Sequence, residues 1–152
     1  MMSNDDAIST LNDLIEISKD GEEGFLKSSE TVDDPQLKTF FYRRSQEVKE
    51  SVLELQDLVR ALGGEPATSS SIGGYLHRRW IDIKTAIVNN DNLAVLNEVE
   101  RGEDVALKAY REAAEKDLPP MVRLVVLRQL DGAQRNHDQV KQLRDQLELQ
   151  AH

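Results

Sequence analysis

The chain has 152 residues, a formal net charge of −9 and no cysteine. The length suits one domain with an apolar core, and the missing cysteine excludes disulfides, cysteine-ligated zinc, iron–sulfur clusters and thiol nucleophiles. Because a negative chain repels nucleic acids and anionic lipids, we expect neither as a partner, and a cationic ligand is electrostatically easier to bind. No secretory signal and no apolar run long enough to span a bilayer is evident, so we expect a cytoplasmic protein.

Apolar residues recur with helical spacing along most of the chain. Asp34 and Pro35 have the residue types of an N-cap and a first helical residue, and Gly63-Gly64 is typical of a helix end. The pattern predicts helices over about 5–31, 35–62, 72–88, 92–116 and 120–149.

The order of these helices is a hairpin, a long crossover and a second hairpin. A four-helix bundle with one long crossover has the ferritin-like topology. We therefore predict an all-α fold in a single domain, 1–152: a ferritin-like four-helix bundle of two antiparallel hairpins. Its crossover, 63–91, contains the short extra helix.

Each long helix carries a polar residue near its midpoint, where its stripe should be apolar. Because antiparallel helices bring their midpoints to one level, these groups should converge, and a buried carboxylate without a partner is costly. A divalent metal would compensate, since carboxylates and a neutral imidazole suit iron, manganese or zinc. The predicted metal ligands are Glu22, Glu47, Glu50, Glu103 and His137.

The paired motifs of a di-iron centre are degraded here. That centre takes Glu-x-x-His from two helices, whereas this chain offers Glu47-x-x-Glu50 and Gln134-x-x-His137. We therefore expect a single-metal or altered dinuclear site that binds iron or zinc. An active di-iron oxidase or peroxide-consuming enzyme, which needs two metals and an open coordination position, is the weaker alternative.

A second hypothesis treats the polar layer as an ion-pair network in a structural or interaction protein. Buried glutamates would then pair with Arg44, Arg128 or Arg135, while Glu100, Asp104 and Asp138 would lie on solvated or salt-bridged flanks. The interaction surface would be the crossover helix, around Tyr75, His77 and Trp80.

The segment 121–130 is apolar around more than one face. It would lie under the crossover helix or in a subunit contact, so a homodimer is among the expectations.

Several segments together resemble a bacterial family of ferritin-like four-helix-bundle proteins of unknown function. They are LNDLIEISKDGEEGF (11–25), LVRALGGEP (58–66), LHRRWIDIK (76–84), ERGEDVALKAYREA (100–113), DLPP (117–120) and HDQVKQLRD (137–145). The resemblance implies the ferritin-like fold and a bacterial, cytoplasmic setting, but no activity. The wider superfamily includes iron oxidases and stress proteins, which implies metal-ligand roles for Glu22, Glu103 and His137 and weaker ones for Glu47 and Glu50.

Overall fold

Five helices make up most of the part of the chain that the structure describes. The computed structural model describes residues 1–69 and 73–151, except the side chains of 73–80 and 151, and these ranges contain no strand. The helices are α1 (Asn4–Thr31), α2 (Pro35–Ala61), α3 (Gly73–Val88), α4 (Asn92–Glu115) and α5 (Pro120–Ala151). Every helix end lies within two residues of its predicted position. The prediction of an all-α fold is confirmed.

The ends of α2 follow from local sequence. The Asp34 side chain accepts a hydrogen bond from the Leu37 amide at 3.0 Å, and Pro35 follows as the first helical residue. At the other end Gly63 takes a left-handed conformation, with φ at 86°. Its amide and that of Gly64 donate to carbonyls of the last helical turn at 2.9 Å, which closes the helix as a Schellman motif.

The break between α3 and α4 uses the same geometry with a different residue. Asn90 has φ at 55°, and the amides of Asn90 and Asp91 donate to Ile87 and Ala86. Asparagine tolerates the left-handed region better than most side chains. Asp91 then caps α4 by accepting from the Ala94 amide at 3.0 Å, so one short segment both ends a helix and starts the next.

The helices pack as two antiparallel hairpins. The closest packing joins α1 to α2 and α4 to α5, and α3 lies against α1 and α4. Phe25 of α1 and Phe41 of α2 meet with ring centroids 6.2 Å apart. Tyr110 of α4 hydrogen-bonds Gln129 of α5. The two hairpins pack less closely on each other than the two helices within each hairpin do.

The apolar core is divided into two clusters at opposite ends of the hairpins. One includes Leu11, Leu14, Val52, Leu55, Val59, Ala113, Val122 and Val126; the other includes Phe25, Phe41, Ile83, Leu96, Val99 and Val140. Along each long helix, the residues between its two cluster segments include polar side chains. In the described residues, polar side chains therefore lie between the two apolar clusters, at the height where the sequence pattern predicts a polar layer.

The predicted crossover surface at Tyr75, His77 and Trp80 concerns side chains outside the described residues. The described contacts of α3 are with α1 and α4, and Met121 and Leu124 of α5 are 71% and 66% exposed. Within the described ranges, no helix combines the length and the apolar character needed to cross a membrane.

Candidate functional site

The centre of the polar layer is a buried ion pair between the two hairpins. Arg44 of α2 and Glu103 of α4 are 5% and 8% exposed. Arg44 Nη2 donates to Glu103 Oε2 at 3.3 Å, and Nη1 donates to Glu47 Oε2 at 2.9 Å. The guanidinium carbon lies 5.2 Å from the centroid of Phe25, within cation–π range. Arg44 is therefore one of the predicted arginine partners of a buried carboxylate.

The pairing of Glu103 is incomplete. Its Oε1 atom and Arg44 Nε are both buried without a hydrogen-bond partner. Burial raises the pKa of Glu103 to about 7, against the opposing attraction of Arg44 and, more weakly, His137. Desolvation thus outweighs the ion pair, as expected when one lone pair remains unsatisfied.

A second polar network links all four long helices. Tyr110 donates to Gln129 Oε1 at 2.7 Å and lies 3.4 Å from the Ser18 hydroxyl. Gln129 Nε2 in turn donates to Glu54 Oε1 at 2.8 Å, and Glu54 also accepts from Arg128. The hydrogen bond from Arg128 lowers the pKa of Glu54, while burial raises the pKa of Tyr110. The network satisfies polar groups that would otherwise be buried without partners.

His137 of α5 lies against two carboxylates of α4. Its Nε2 atom is 2.6 Å from Asp104 Oδ1 and 3.8 Å from Glu100 Oε1. Among residues with described side chains, these three form the group whose metal-binding atoms all lie within 4.8 Å of one another. Both ring nitrogens are buried and lack a partner in hydrogen-bond geometry, so the Asp104 contact is close without being a hydrogen bond.

The sequence-predicted ligands are only partly brought together. Glu22 is 17% exposed, and its Oε1 atom lies 3.8 Å from Lys19 Nζ. Glu47 is 43% exposed and forms an ion pair with Arg44. Glu50 is exposed. Of the four glutamates, Glu103 is the one fully buried. None of them joins the described three-residue group around His137. The five-residue metal site stays a prediction, and Glu100 and Asp104, expected on the flanks, are the carboxylates beside His137.

The geometry of this group suits a small divalent ion after a minor adjustment. Metal–ligand bonds of about 2.0–2.2 Å in a tetrahedral site separate ligand atoms by about 3.4 Å. The distance of 3.8 Å between His137 Nε2 and Glu100 Oε1 is close to this value. The distance of 2.6 Å between His137 Nε2 and Asp104 Oδ1 is too short and must lengthen. Asp104 is 59% exposed and can rotate outward. Arg144 binds the second oxygen of Glu100 and fixes the first toward the imidazole, as outer-shell partners do.

Comparison with known proteins gives a family and no activity. A search of curated proteins finds no significant match. A family model described as "Domain of unknown function (DUF2383)" matches residues 6–116, from α1 to the end of α4. His137 and Gln129, on α5, lie outside the matched residues. Since the match spans well over half of the sequence, this chain belongs to the DUF2383 family.

Proposed function

We propose that this chain is a ferritin-like four-helix-bundle protein of the cytoplasm that binds one divalent metal ion, iron or zinc. The proposed ligands are Glu100, Asp104 and His137. The observation that carries the proposal is the convergence of one imidazole nitrogen and two carboxylates within 4.8 Å, with both ring nitrogens buried and lacking a hydrogen bond. An unsatisfied buried nitrogen beside two anions is well suited to a cation.

The donor set defines the class of metal. One nitrogen and two carboxylate oxygens suit iron, manganese and zinc better than soft metals, which prefer sulfur. Glu100 and Asp104 are four residues apart on α4, so they lie on one helix face and are positioned by rigid backbone. Three protein ligands leave a further position for water.

The proposal is for binding and not for oxidase chemistry. A di-iron oxidase uses carboxylates and two histidines to hold two metals, and the group around His137 supplies one histidine. The protein would hold or transfer the ion without redox turnover.

Zinc titration tests the proposal directly. Protein stripped with chelator and dialysed should bind one equivalent of Zn²⁺ by calorimetry, and His137→Ala should weaken binding by more than about 100-fold, the upper end for a lost outer-shell partner. Glu50→Gln, which removes an exposed charge, is the matched control and should leave the affinity within about twofold. No binding by the wild type would reject the metal function. Loss of binding in Glu50→Gln or Glu22→Gln as well as in His137→Ala, with Glu100→Gln unaffected, would favour the sequence-predicted set instead.

A second candidate, a structural bundle with no metal, is favoured by a separate observation. The Arg44–Glu103 pair and the Tyr110–Gln129–Glu54 network connect the four long helices without any ligand. In this alternative the polar layer fixes helix packing, and His137 forms an ordinary ion pair with Asp104. The zinc titration separates the two, since only the first predicts a stoichiometric metal.

We also propose a homodimer through the exposed apolar face of α5. Met121, Leu124 and Leu127 are spaced by three residues and are 71%, 66% and 39% exposed. Such a row exceeds the scattered apolar side chains of a typical surface. Light scattering at several concentrations should give twice the mass of the 17.2 kDa chain, and Leu124→Lys should give the monomer mass. A monomer at all concentrations in the wild type would reject this assembly.

A further inference from the structure

A large cavity separates the two hairpins at the level of the polar layer. Its volume is about 1230 Å³, at or above the range typical of small-molecule sites. All four long helices line it, and its apolar lining includes Leu14, Phe25, Val48 and Val99. A space of this size is far larger than the gap that a close-packed core leaves.

Glycines occupy helix-interior positions along this cavity. They are Gly21 and Gly24 of α1, Gly102 of α4 and Gly132 of α5. A glycine inside a helix costs about 0.8–1 kcal/mol relative to alanine. Close packing does not require them, because a Cβ at Gly21, Gly24 or Gly102 would meet no described atom within 4 Å, and at Gly132 the nearest is 3.8 Å away. Their effect is to keep the cavity wall free of side chains.

The charges around the cavity favour a cation over an anion. Its four arginines on α2 and α5 already pair with carboxylates: Arg43 with Glu47, Arg44 with Glu47 and Glu103, Arg128 with Glu54, and Arg135 with Asp131. On the opposite wall, Asp13, Glu16 and Glu112 have no ion-pair partner among the described residues. An incoming anion would therefore have to displace a carboxylate from each arginine and would meet one cation without a described carboxylate partner, Lys116, whereas a cation finds three such acids.

One of the buried acids of the cavity has an oxygen that accepts no hydrogen bond. Glu103 lines the cavity, is 8% exposed, and has its Oε1 atom buried without a hydrogen-bond partner. A buried acceptor in this condition is stabilised strongly by a charged donor, since charge-assisted hydrogen bonds are the stronger kind.

We propose that this cavity binds an aliphatic polyamine. One ammonium group donates to Glu103 Oε1, others reach Asp13, Glu16 or Glu112 at the rim, and the methylene segments lie against Leu14, Val48 and Val99. Both the length of the cavity wall, from Thr10 to Gly24 along α1, and its apolar lining favour a long organic cation over a hydrated metal ion. The site is separate from the group around His137.

Spermidine is the probe. Calorimetry at fixed ionic strength should show one saturable site, and adipate, an aliphatic dianion, should not bind. Glu103→Gln should weaken spermidine binding by about tenfold or more through loss of the deep anionic acceptor. Gly102→Leu should weaken it similarly by filling the cavity, and it should fold because its Cβ meets open space. Glu115→Gln, an exposed acid of α4 outside the cavity, is the matched control and should change the affinity by less than about twofold.

Either of two results would overturn the proposal. One is the absence of spermidine binding to the wild-type protein. The other is equal weakening by Glu115→Gln and Glu103→Gln with no effect of Gly102→Leu, which would show non-specific attraction to an acidic surface. If Glu103→Gln fails to fold, Gly102→Leu alone decides. Zinc binding is measured on the same samples, so a failure of the spermidine proposal can be distinguished from a failure of the zinc proposal.

Discussion

Replacing Arg44 by Met is expected to lower the free energy of unfolding by about 3–5 kcal/mol at pH 8. Arg44 is 5% exposed and is the protein cation in contact with the buried Glu103. Met retains much of the packing on Phe25 but removes the charge, so Glu103 is left desolvated without a counter-ion. Urea denaturation followed by circular dichroism measures the change.

The pH dependence of this loss identifies its cause. At pH 5 a carboxyl with a pKa of about 7 is mainly protonated, so removal of Arg44 no longer strands a charge and the loss should shrink. Arg135→Met is the matched control, because Arg135 also lines the cavity but pairs with Asp131 at the surface. Its effect should stay below about 1 kcal/mol at both pH values. Equal losses at pH 5 and pH 8 for Arg44→Met would show that packing and not charge is responsible.

Replacing Glu103 by Gln should raise the free energy of unfolding at high pH, the opposite of the effect of Arg44→Met. In the folded protein the pKa of Glu103 is raised from 4.5 to about 7, so between these values the folded state binds more protons than the unfolded state. The stability contributed by the neutral carboxyl is complete below pH 4.5 and is lost as the pH rises through 7. A shift of this size corresponds to about 3 kcal/mol. The Gln side chain stays neutral, and its carbonyl still accepts from Arg44 Nη2.

The expected result is therefore a difference in the free energy of unfolding, between the variant and the wild type, that depends on pH. Glu103→Gln and the wild type should have similar free energies of unfolding at pH 5, and the variant should be more stable at pH 8 by up to about 3 kcal/mol. Groups with a lowered pKa, such as Glu54, act in both proteins and cancel in the difference. Denaturant titrations at intervals of half a pH unit measure it. A variant less stable than the wild type at pH 8 would show that the Arg44 ion pair outweighs desolvation.

The helices could be predicted because their signals are local. Asp34, Pro35 and Gly63 act through hydrogen bonds and dihedral angles within one turn, so the sequence alone specifies where α2 begins and ends. The height of the polar layer can be predicted from the sequence as well, because it follows from polar residues at the middle of antiparallel helices. Those predictions need no knowledge of side-chain partners.

The pairings inside the layer could not be predicted in the same way. Which side chains meet depends on the rotation of each helix and on which helices lie closest. His137 faces α4, with which α5 is most closely packed, and therefore meets Glu100 and Asp104 and not Glu47 or Glu50 of α2. The ring of Tyr110 is compatible with its position on an apolar stripe, so the sequence does not indicate a polar partner. The structure shows that its hydroxyl donates to Gln129. The cavity has no sequence signature beyond glycines inside helices.

The position of Arg44 and Glu103 between two apolar clusters has a consequence for how the hairpins align. Each hairpin is contiguous in sequence, so it can form by local contacts before docking on the other. A slip of one helical turn, about 5.4 Å, would set the guanidinium against aliphatic side chains and leave Glu103 without its cation. Such misaligned assemblies would be strongly disfavoured, while a purely apolar seam would tolerate them. The polar layer thus fixes how the two hairpins align along the helix axes.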